Sequence, residues 1–257
     1  MNVPSSPDPL DAGVLSRFRR NGWALVPGFF APQEAARLAQ WTDEVTALPE
    51  LPGRQMVYRE SPPDNPEEKL LQRIEDFCPH HAEMDAMAHG RLAQAVAQLL
   101  ESPAVLFKDK INFKLPGGGG FELHQDQQAG WSAYAPLFIT ALVSVDQASL
   151  ANGCLEIADM PRADGLLGEE WRPLTMAELK GHALRPAPTE PGDVIFFDSF
   201  VPHASKPNPS TSRRRVLYLT YNKLADGDHR RRYFHDKRQS FPPDIERVPG
   251  RDYKFRV

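Results

Sequence analysis

Apolar and polar positions along the chain fall into two regimes. In the first hundred residues the apolar positions recur at helical spacing. Val14, Leu15 and Phe18 punctuate a basic stretch from Asp11 to Asn21. A second helix is predicted from Pro32 to Thr46, where Ala31-Pro32 places proline in the first turn. The longest helical run is Ala82 to Leu100, with Met84, Met87, Ala88, Leu92, Val96 and Leu99-Leu100 as its apolar positions. Trp23–Val26 reads as a short strand stopped by Pro27-Gly28, and residues 49–70, rich in Pro, Glu and Asp, as a covering loop with one strand-like step at Met56-Val57-Tyr58.

Beyond residue 103 the period shortens to two. Lys108, Lys110, Asn112 and Lys114 alternate with Phe107, Ile111, Phe113 and Leu115 along a strand from Ala104 to Leu115. Further strands are predicted at Leu137–Val145, Gly153–Ile157, Val194–Phe197 and Arg213–Asn222. The Gly117–Gly120 run is followed by no Gly-Lys-Ser, so it reads as a hairpin connection into His124 rather than a phosphate cradle. Residues 158–180 form a polar excursion with a short helix at Met176–Lys180, and the basic, aromatic tail carries a helix near 228–236. Short strands braced by early helices predict a mainly β jelly roll or barrel with N-terminal helices. The predicted organisation is a single domain over 1–257: a flexible leader (1–9), helical support (10–103), a jelly-roll core (104–222) and a C-terminal helix and arm (223–257).

Composition narrows the function classes. The net charge of −4 gives no electrostatic footprint for nucleic acid, despite the locally basic tail. Cys78 and Cys154 stand far apart without metal-ligand spacing, which fits a reducing compartment. No signal peptide and no apolar run of membrane-spanning length is visible. The 25 prolines are scattered and read as fixed turns rather than disorder. A cytoplasmic enzyme or binding protein is expected, monomer or homodimer, with a small-molecule substrate and no nucleic-acid or membrane partner.

The chemistry concentrates at Phe121–Trp131. On an extended chain His124 and Asp126 project to the same side, offering an imidazole and a carboxylate to one ion. Val201-Pro202-His203 follows the buried strand after Gly192-Asp193 and offers a second imidazole at a sheet rim, to meet the first pair across a barrel. Two histidines and one carboxylate form the facial triad that holds non-heme Fe(II) with open positions. Downstream, Arg213-Arg214-Arg215 opens an apolar strand, and an arginine projecting into a barrel needs an anionic partner, which a dicarboxylate would supply bidentately.

This ordered set resembles the phytanoyl-CoA dioxygenase family of Fe(II)/2-oxoglutarate oxygenases. The resemblance rests on His124-x-Asp126, on His203-x-Ser205, and on Arg214 eleven residues after His203. It extends to Asn152-Gly153-Cys154-Leu155, Gly192-Asp193-x-x-x-Phe197 and Phe18-x-x-x-Gly22-x-x-x-Val26, about residues 12–222 in all. It implies a double-stranded β-helix core of the cupin type. It implies His124, Asp126 and His203 on iron, and Arg214 with Ser205 on the distal carboxylate of 2-oxoglutarate, Arg213 being the alternative if the register slips. Asn112, Lys108 or Lys110, and Trp131 match positions that help hold the cosubstrate or close the site. The implied reaction consumes O2, converts 2-oxoglutarate to succinate and CO2, and hydroxylates a C–H bond. Asp126 argues for hydroxylation, since related halogenases replace this carboxylate. Where relatives often carry Pro-Gly-Ser-His after the Asn-Gly turn, this chain has Ala158-Asp159-Met160-Pro161-Arg162.

Toward the substrate, Gln125 alternates with the ligands and is expected to point away, whereas Gln128 is expected to line the site with Trp131. Lys110, with Lys108 and Lys114 on its strand face, is a candidate for an anionic substrate group. Tyr58, Glu75 and Arg162, placed on covering loops, are candidates for an amine or phosphonate. Within the family, residues 110–118, 124–131 and Arg73–Phe77 look like the bacterial branches acting on small polar molecules, including 2-aminoethylphosphonate hydroxylases. An aminoalkylphosphonate is therefore the leading substrate, ahead of a natural-product intermediate or lipid-like acid. Two other readings remain: a jelly-roll ligand sensor without catalysis, and a metal-dependent cupin enzyme using no 2-oxo acid.

Overall fold

The computed structural model describes residues 9–62 and 65–253, so nearly all of the leader lies outside the described residues. In chain order the elements are α1 (Ala12–Asn21), β1 (Trp23–Val26), α2 (Pro32–Thr46), β2 (Met56–Glu60), β3 (Leu70–Glu75), α3 (Ala82–His89), α4 (Arg91–Leu100), β4 (Ala104–Lys114), β5 (Phe121–His124), β6 (Ile139–Ser144), β7 (Leu155–Ala158), β8 (Leu184–Ala187), β9 (Val194–Asp198), β10 (His203–Ser205), β11 (Arg214–Lys223) and α5 (Arg230–Ser240). Among the described residues they build a seven-stranded sheet, ordered β1-β9-β6-β11-β4-β3-β2, and a four-stranded sheet, ordered β5-β10-β7-β8. This is the double-stranded β-helix, with α1–α4 on the outer face of the larger sheet.

Cross-strand register sorts the large sheet's two faces. Ile111, Phe113, Leu217, Leu219, Ala141, Val143 and Phe196 point outward and pack with Val14, Phe18, Leu38, Val45, Met84, Leu92 and Val96 of α1–α4. The opposite face looks at the small sheet, where Leu142, Ile195, Phe197, Val216 and Tyr218 meet Leu155 and Ile157. Further along that inner face the apolar rule breaks: Lys114 lies opposite Arg214, Lys110 opposite Tyr218 and Lys108 opposite Thr220. The register slips by one between Thr220 and Tyr221, so Phe107 joins the cluster of Tyr58, Trp131, Phe138 and Tyr233 beside Lys108.

Local chemistry explains the helices. Asp11 caps α1 by accepting from Val14 N at 2.8 Å, and Gly22 ends it in the left-handed region. The Ala82–Leu100 run is two helices, because Gly90 leaves helical geometry (φ −89°, ψ −126°) between α3 and α4.

Four other expectations are corrected. Residues 49–70 are not simply a covering loop: β2 pairs with β3, and β3 with β4, extending the large sheet. The four-glycine run is not a hairpin, since β4 and β5 belong to different sheets. It carries the chain across between them, and a Cβ at Gly120 would lie 2.5 Å from Ser205 O. Met176–Lys180 forms turns rather than a helix, and the C-terminal helix is Arg230–Ser240.

Candidate active site

His124 ends β5, Gln125 stays extended (φ −108°, ψ 134°), and Asp126 opens a short 3-10 turn. The alternation of one extended residue therefore suffices to put His124 and Asp126 on one side, although Asp126 is not on a strand. His203 pairs directly with His124 across β10 and β5, so the second imidazole comes from the neighbouring strand and not from across the barrel. The ligand atoms of His124, Asp126 and His203 all lie within 4.8 Å of one another, and His124 Nε2 is 3.8 Å from Asp126 Oδ1.

The surroundings prepare all three as metal donors. His124 Nδ1 lies 2.7 Å from Glu122 O and His203 Nδ1 lies 2.9 Å from Val201 O. A carbonyl can only accept, so each Nδ1 carries the hydrogen and each Nε2 lone pair faces the cluster. Burial and the neighbouring His203 lower the His124 pKa to about 4, keeping the imidazole neutral. Burial opposes the Asp126 carboxylate, but His203, His124, Lys110 and Lys108 outweigh it and hold its pKa below the ordinary value. Thr140 Oγ1 lies 3.4 Å from Asp126 Oδ2 and 2.9 Å from Thr220 Oγ1, which orients the carboxylate. Neutral imidazoles and an ionised carboxylate are the forms that bind a divalent metal.

A second polar group lies along β11, β4 and β10. Arg214, 2% exposed, donates from Nη1 to Gly153 O at 2.5 Å, while its Nε and Nη2 have no hydrogen-bond partner. No carboxylate pairs with it among the described residues, and burial pushes its pKa down. An unpaired buried guanidinium with two idle donors fits a ligand carboxylate. Arg213 is on the other face, half-exposed and near Asp43 and Asp146, so the register places Arg214 inward. Ser205 accepts from Lys114 Nζ at 2.8 Å, and that ammonium also donates to Lys206 O and, at 3.4 Å, to Gly153 O. Burial, with Arg214 alongside, pushes Lys114 down to about 7. Lys114, expected with Lys108 and Lys110 on a face toward an anion, is thus tied to Ser205 and two loop carbonyls, and only strand pairing shows that it faces Arg214.

Lys108 and Lys110 do share the inner face. Lys108 Nζ is 3.8 Å from Glu75 Oε2 and 5.6 Å from the Trp131 ring centre. Half-buried Lys110 has its ammonium 4.5 Å from the Tyr218 ring centre, and burial together with Lys108 pushes it down to about 7. The Asn112 amide bonds the Tyr218 hydroxyl, whose pKa burial raises to about 12. Trp131 packs edge-on against Phe107 and Phe138 as a wall of this region.

Three substrate candidates are committed elsewhere. Gln128 is fully buried: its Nε2 donates to Glu169 O and Arg172 O, and its Oε1 accepts from Gln125 N, so the amide holds a loop instead of facing a substrate. Gln125 points away as expected, bonding Gly165 O, Phe200 O and Leu167 N. Tyr58 lies within β2, its hydroxyl donating to Phe241 O at 2.8 Å, rather than on a covering loop. Arg162 Nε bonds buried Asp198 at 2.6 Å and its backbone N–H bonds Arg20 O, so it ties its loop to α1. Glu75 likewise sits on β3, ion-paired inside the protein.

Comparisons with known proteins agree with this geometry. The family model for phytanoyl-CoA dioxygenase (PhyH) matches residues 18–216. The chain is 39% identical over 240 residues to the 2-aminoethylphosphonate dioxygenase of uncultured bacterium HF130_AEPn_1, covering 93% of this chain and 91% of that one. It is 36% identical to the methylphosphonate hydroxylase of Gimesia maris, covering 88% and 86%. EctD from S. alaskensis, solved with 2-oxoglutarate and 5-hydroxyectoine, shares the fold at TM-score 0.72 and 22% identity, covering 88% of this chain and 80% of that one. With its two imidazoles and one carboxylate, the chain belongs to the phytanoyl-CoA dioxygenase family and is a 2-oxoglutarate-dependent non-heme iron dioxygenase.

Proposed function

We propose that this enzyme hydroxylates an aliphatic C–H bond of a small charged metabolite, an aminoalkylphosphonate being the substrate. The carrying observation is the buried cationic surface next to the triad: Lys108 and Lys110 on β4, with one carboxylate, Glu75, opposite Lys110 on β3. The names of two relatives, a 2-aminoethylphosphonate dioxygenase and a methylphosphonate hydroxylase, support the same class.

In this reading His124, Asp126 and His203 hold Fe(II), and Arg214 receives the distal carboxylate of 2-oxoglutarate through Nε and Nη2. Ser205 and Asn112 flank that cosubstrate, and Lys110, with Lys108, receives the anionic end of the substrate. Bound there, iron with 2-oxoglutarate and O2 supplies the oxidising chemistry, releasing succinate and CO2. The protein's own contribution is to fix the triad through the two Nδ1–carbonyl bonds and Thr140. It also seats the anion so that a neighbouring C–H bond faces the open side of the triad. We read the chain as one domain acting in the cytoplasm, alone or as a homodimer. Two free, buried cysteines and the lack, among the described residues, of a helix long and apolar enough to cross a membrane support that placement.

The test is succinate release coupled to O2 uptake, across aminoalkylphosphonates, methylphosphonate, amino acids, acyl-CoAs and long-chain acids. Stimulation by 2-aminoethylphosphonate is expected. Stimulation by a large apolar acid alone would reject the substrate class while leaving the iron chemistry standing.

A further inference from the structure

We propose that Lys237, on the C-terminal helix α5, is a positioning residue for substrate recognition: it neutralises Glu75, leaving the Lys108 ammonium available to the substrate's anionic group. The inference rests on the reading of the substrate as a small anion. Helix α5 lies wholly beyond residue 216, where the family match ends, and neither the family model nor the triad assigns it a role.

The contacts form a competition for one carboxylate. Glu75 is fully buried, and three basic side chains converge on it: Lys237 Nζ at 2.5 Å, Arg73 Nε at 3.1 Å and Lys108 Nζ at 3.8 Å; burial pushes the Lys237 pKa well down, and the Glu75 carboxylate is what pulls it back up. Lys237 and Lys108 address the same oxygen, Oε2, and Lys237 is the nearer by more than an ångström. Lys108 is thus held at the edge of ion-pair range of Glu75, hydrogen-bonded to Tyr233 and 5.6 Å from the Trp131 ring centre. Next along the strand face, half-buried Lys110 has no carboxylate within 4 Å among the described residues. Buried charge is costly unless paired, so two ammoniums side by side, one with only a long ion pair and one with no carboxylate in range, form a ready receptor for an anion. A phosphonate, with three oxygens and up to two negative charges, matches two such ammoniums better than a monocarboxylate does.

Helix α5 is anchored independently of this contact. Arg230 pairs with Asp76 at 2.7 Å and Asp109 at 2.5 Å, and Tyr233 and Phe234 are buried in the aromatic cluster. Changing Lys237 therefore leaves the helix attached and alters which cation Glu75 holds. Without Lys237, Lys108 closes onto Glu75 and withdraws from the pocket.

The experiment compares the holoenzyme with Lys237→Gln and with the double variant Glu75→Gln/Lys237→Gln, reading KM for 2-aminoethylphosphonate and for 2-oxoglutarate. The single variant is expected to raise KM for the phosphonate about tenfold, the scale of one lost charged contact, with little movement in KM for 2-oxoglutarate. The double variant, having no carboxylate to capture Lys108, is expected to return near the parent value. A merely structural lysine predicts no such rescue. An unchanged phosphonate KM in the single variant, or no recovery in the double, overturns the proposal. If Lys237→Gln is too unstable to purify, the double variant carries the test alone, and a tenfold rise in its phosphonate KM overturns it. If 2-aminoethylphosphonate fails to stimulate the parent enzyme, the substrate reading falls. Calorimetry with inorganic phosphate then decides the subsite separately: binding that weakens in Lys237→Gln supports it, and binding that is absent or unchanged rejects it.

Discussion

Arg214→Met separates what the buried guanidinium does for the fold from what it does for the cosubstrate. In the protein alone Arg214 has one strong partner, Gly153 O at 2.5 Å, and two idle donors in a site 2% exposed. Losing a charged hydrogen bond costs about 1.5–3 kcal/mol. Removing a buried, unpaired charge returns several kcal/mol of desolvation. The two nearly cancel, so the ligand-free variant should be as stable as the parent or slightly more so. With 2-oxoglutarate the balance reverses, because the variant forfeits a buried ion pair of roughly 3–5 kcal/mol, two to three and a half decades in affinity. The assay is anaerobic thermal unfolding with Fe(II) and a 2-oxoglutarate concentration about a hundredfold above the parent Kd. Linkage then adds about 2.7 kcal/mol to the parent, or roughly 5–11 °C for a domain of this size, and almost nothing to the variant. A variant that keeps the 2-oxoglutarate shift refutes the assignment. Loss of more than about 3 kcal/mol in the ligand-free state would show that the guanidinium was already compensated.

Asp126→Ala should leave the fold intact, since the carboxylate's bond to Thr140 is a long 3.4 Å, but purify with far less than stoichiometric iron; metal analysis showing full retention would contradict it. Burial and nearby Asp109 raise the Asp76 pKa to about 6, against Arg230 and Arg238, so its folded-state value exceeds the ordinary 3.8. Its stabilising contribution is therefore complete below about pH 3.8 and lost as pH rises through 6, amounting to at most about 3 kcal/mol. Asp76→Asn, which tolerates the left-handed backbone there (φ 56°), should gain on the parent in urea unfolding as pH rises from 4 to 7; a pH-independent difference would remove Asp76 as the titrating group. Gln128→Ala leaves the Glu169 and Arg172 carbonyls without their donor, and a local loss of ~1.4 kcal/mol makes opening tenfold more frequent, so proteolysis within 163–175 should quicken accordingly. Unchanged cleavage there would mean that the loop is held by other contacts.

The parts legible in the sequence are those decided by near neighbours. Helices α1 and α2 announce themselves through Pro32 in the first turn and apolar spacing at Val14, Leu15 and Phe18. His124 and Asp126 follow from alternation, whereas His203 and Arg214 stand out through the ordered spacing that resembles the phytanoyl-CoA dioxygenase family, with Arg213 left open as the alternative. What stayed hidden is where the interior is polar. Strands β2 and β3 turn Tyr58, Arg73 and Glu75 inward, so the usual link between apolar pattern and burial fails. Strand β8, Leu-Arg-Pro-Ala at the small sheet's edge, carries a proline that argues against a strand. Gln125 and Gln128 bond backbone about forty residues away, and no local pattern encodes that. Helix α5 reads as a basic, solvated stretch, yet Lys237 is inside, paired with a carboxylate from 162 residues earlier.

The most direct test is an anaerobic visible spectrum of the protein with Fe(II) and 2-oxoglutarate, before and after 2-aminoethylphosphonate. The triad and Arg214 together predict a weak charge-transfer band that requires both metal and cosubstrate, is lost in Asp126→Ala, and shifts when the phosphonate is added. A spectrum without that band, with no metal-dependent 2-oxoglutarate binding by calorimetry, would contradict the account at its centre.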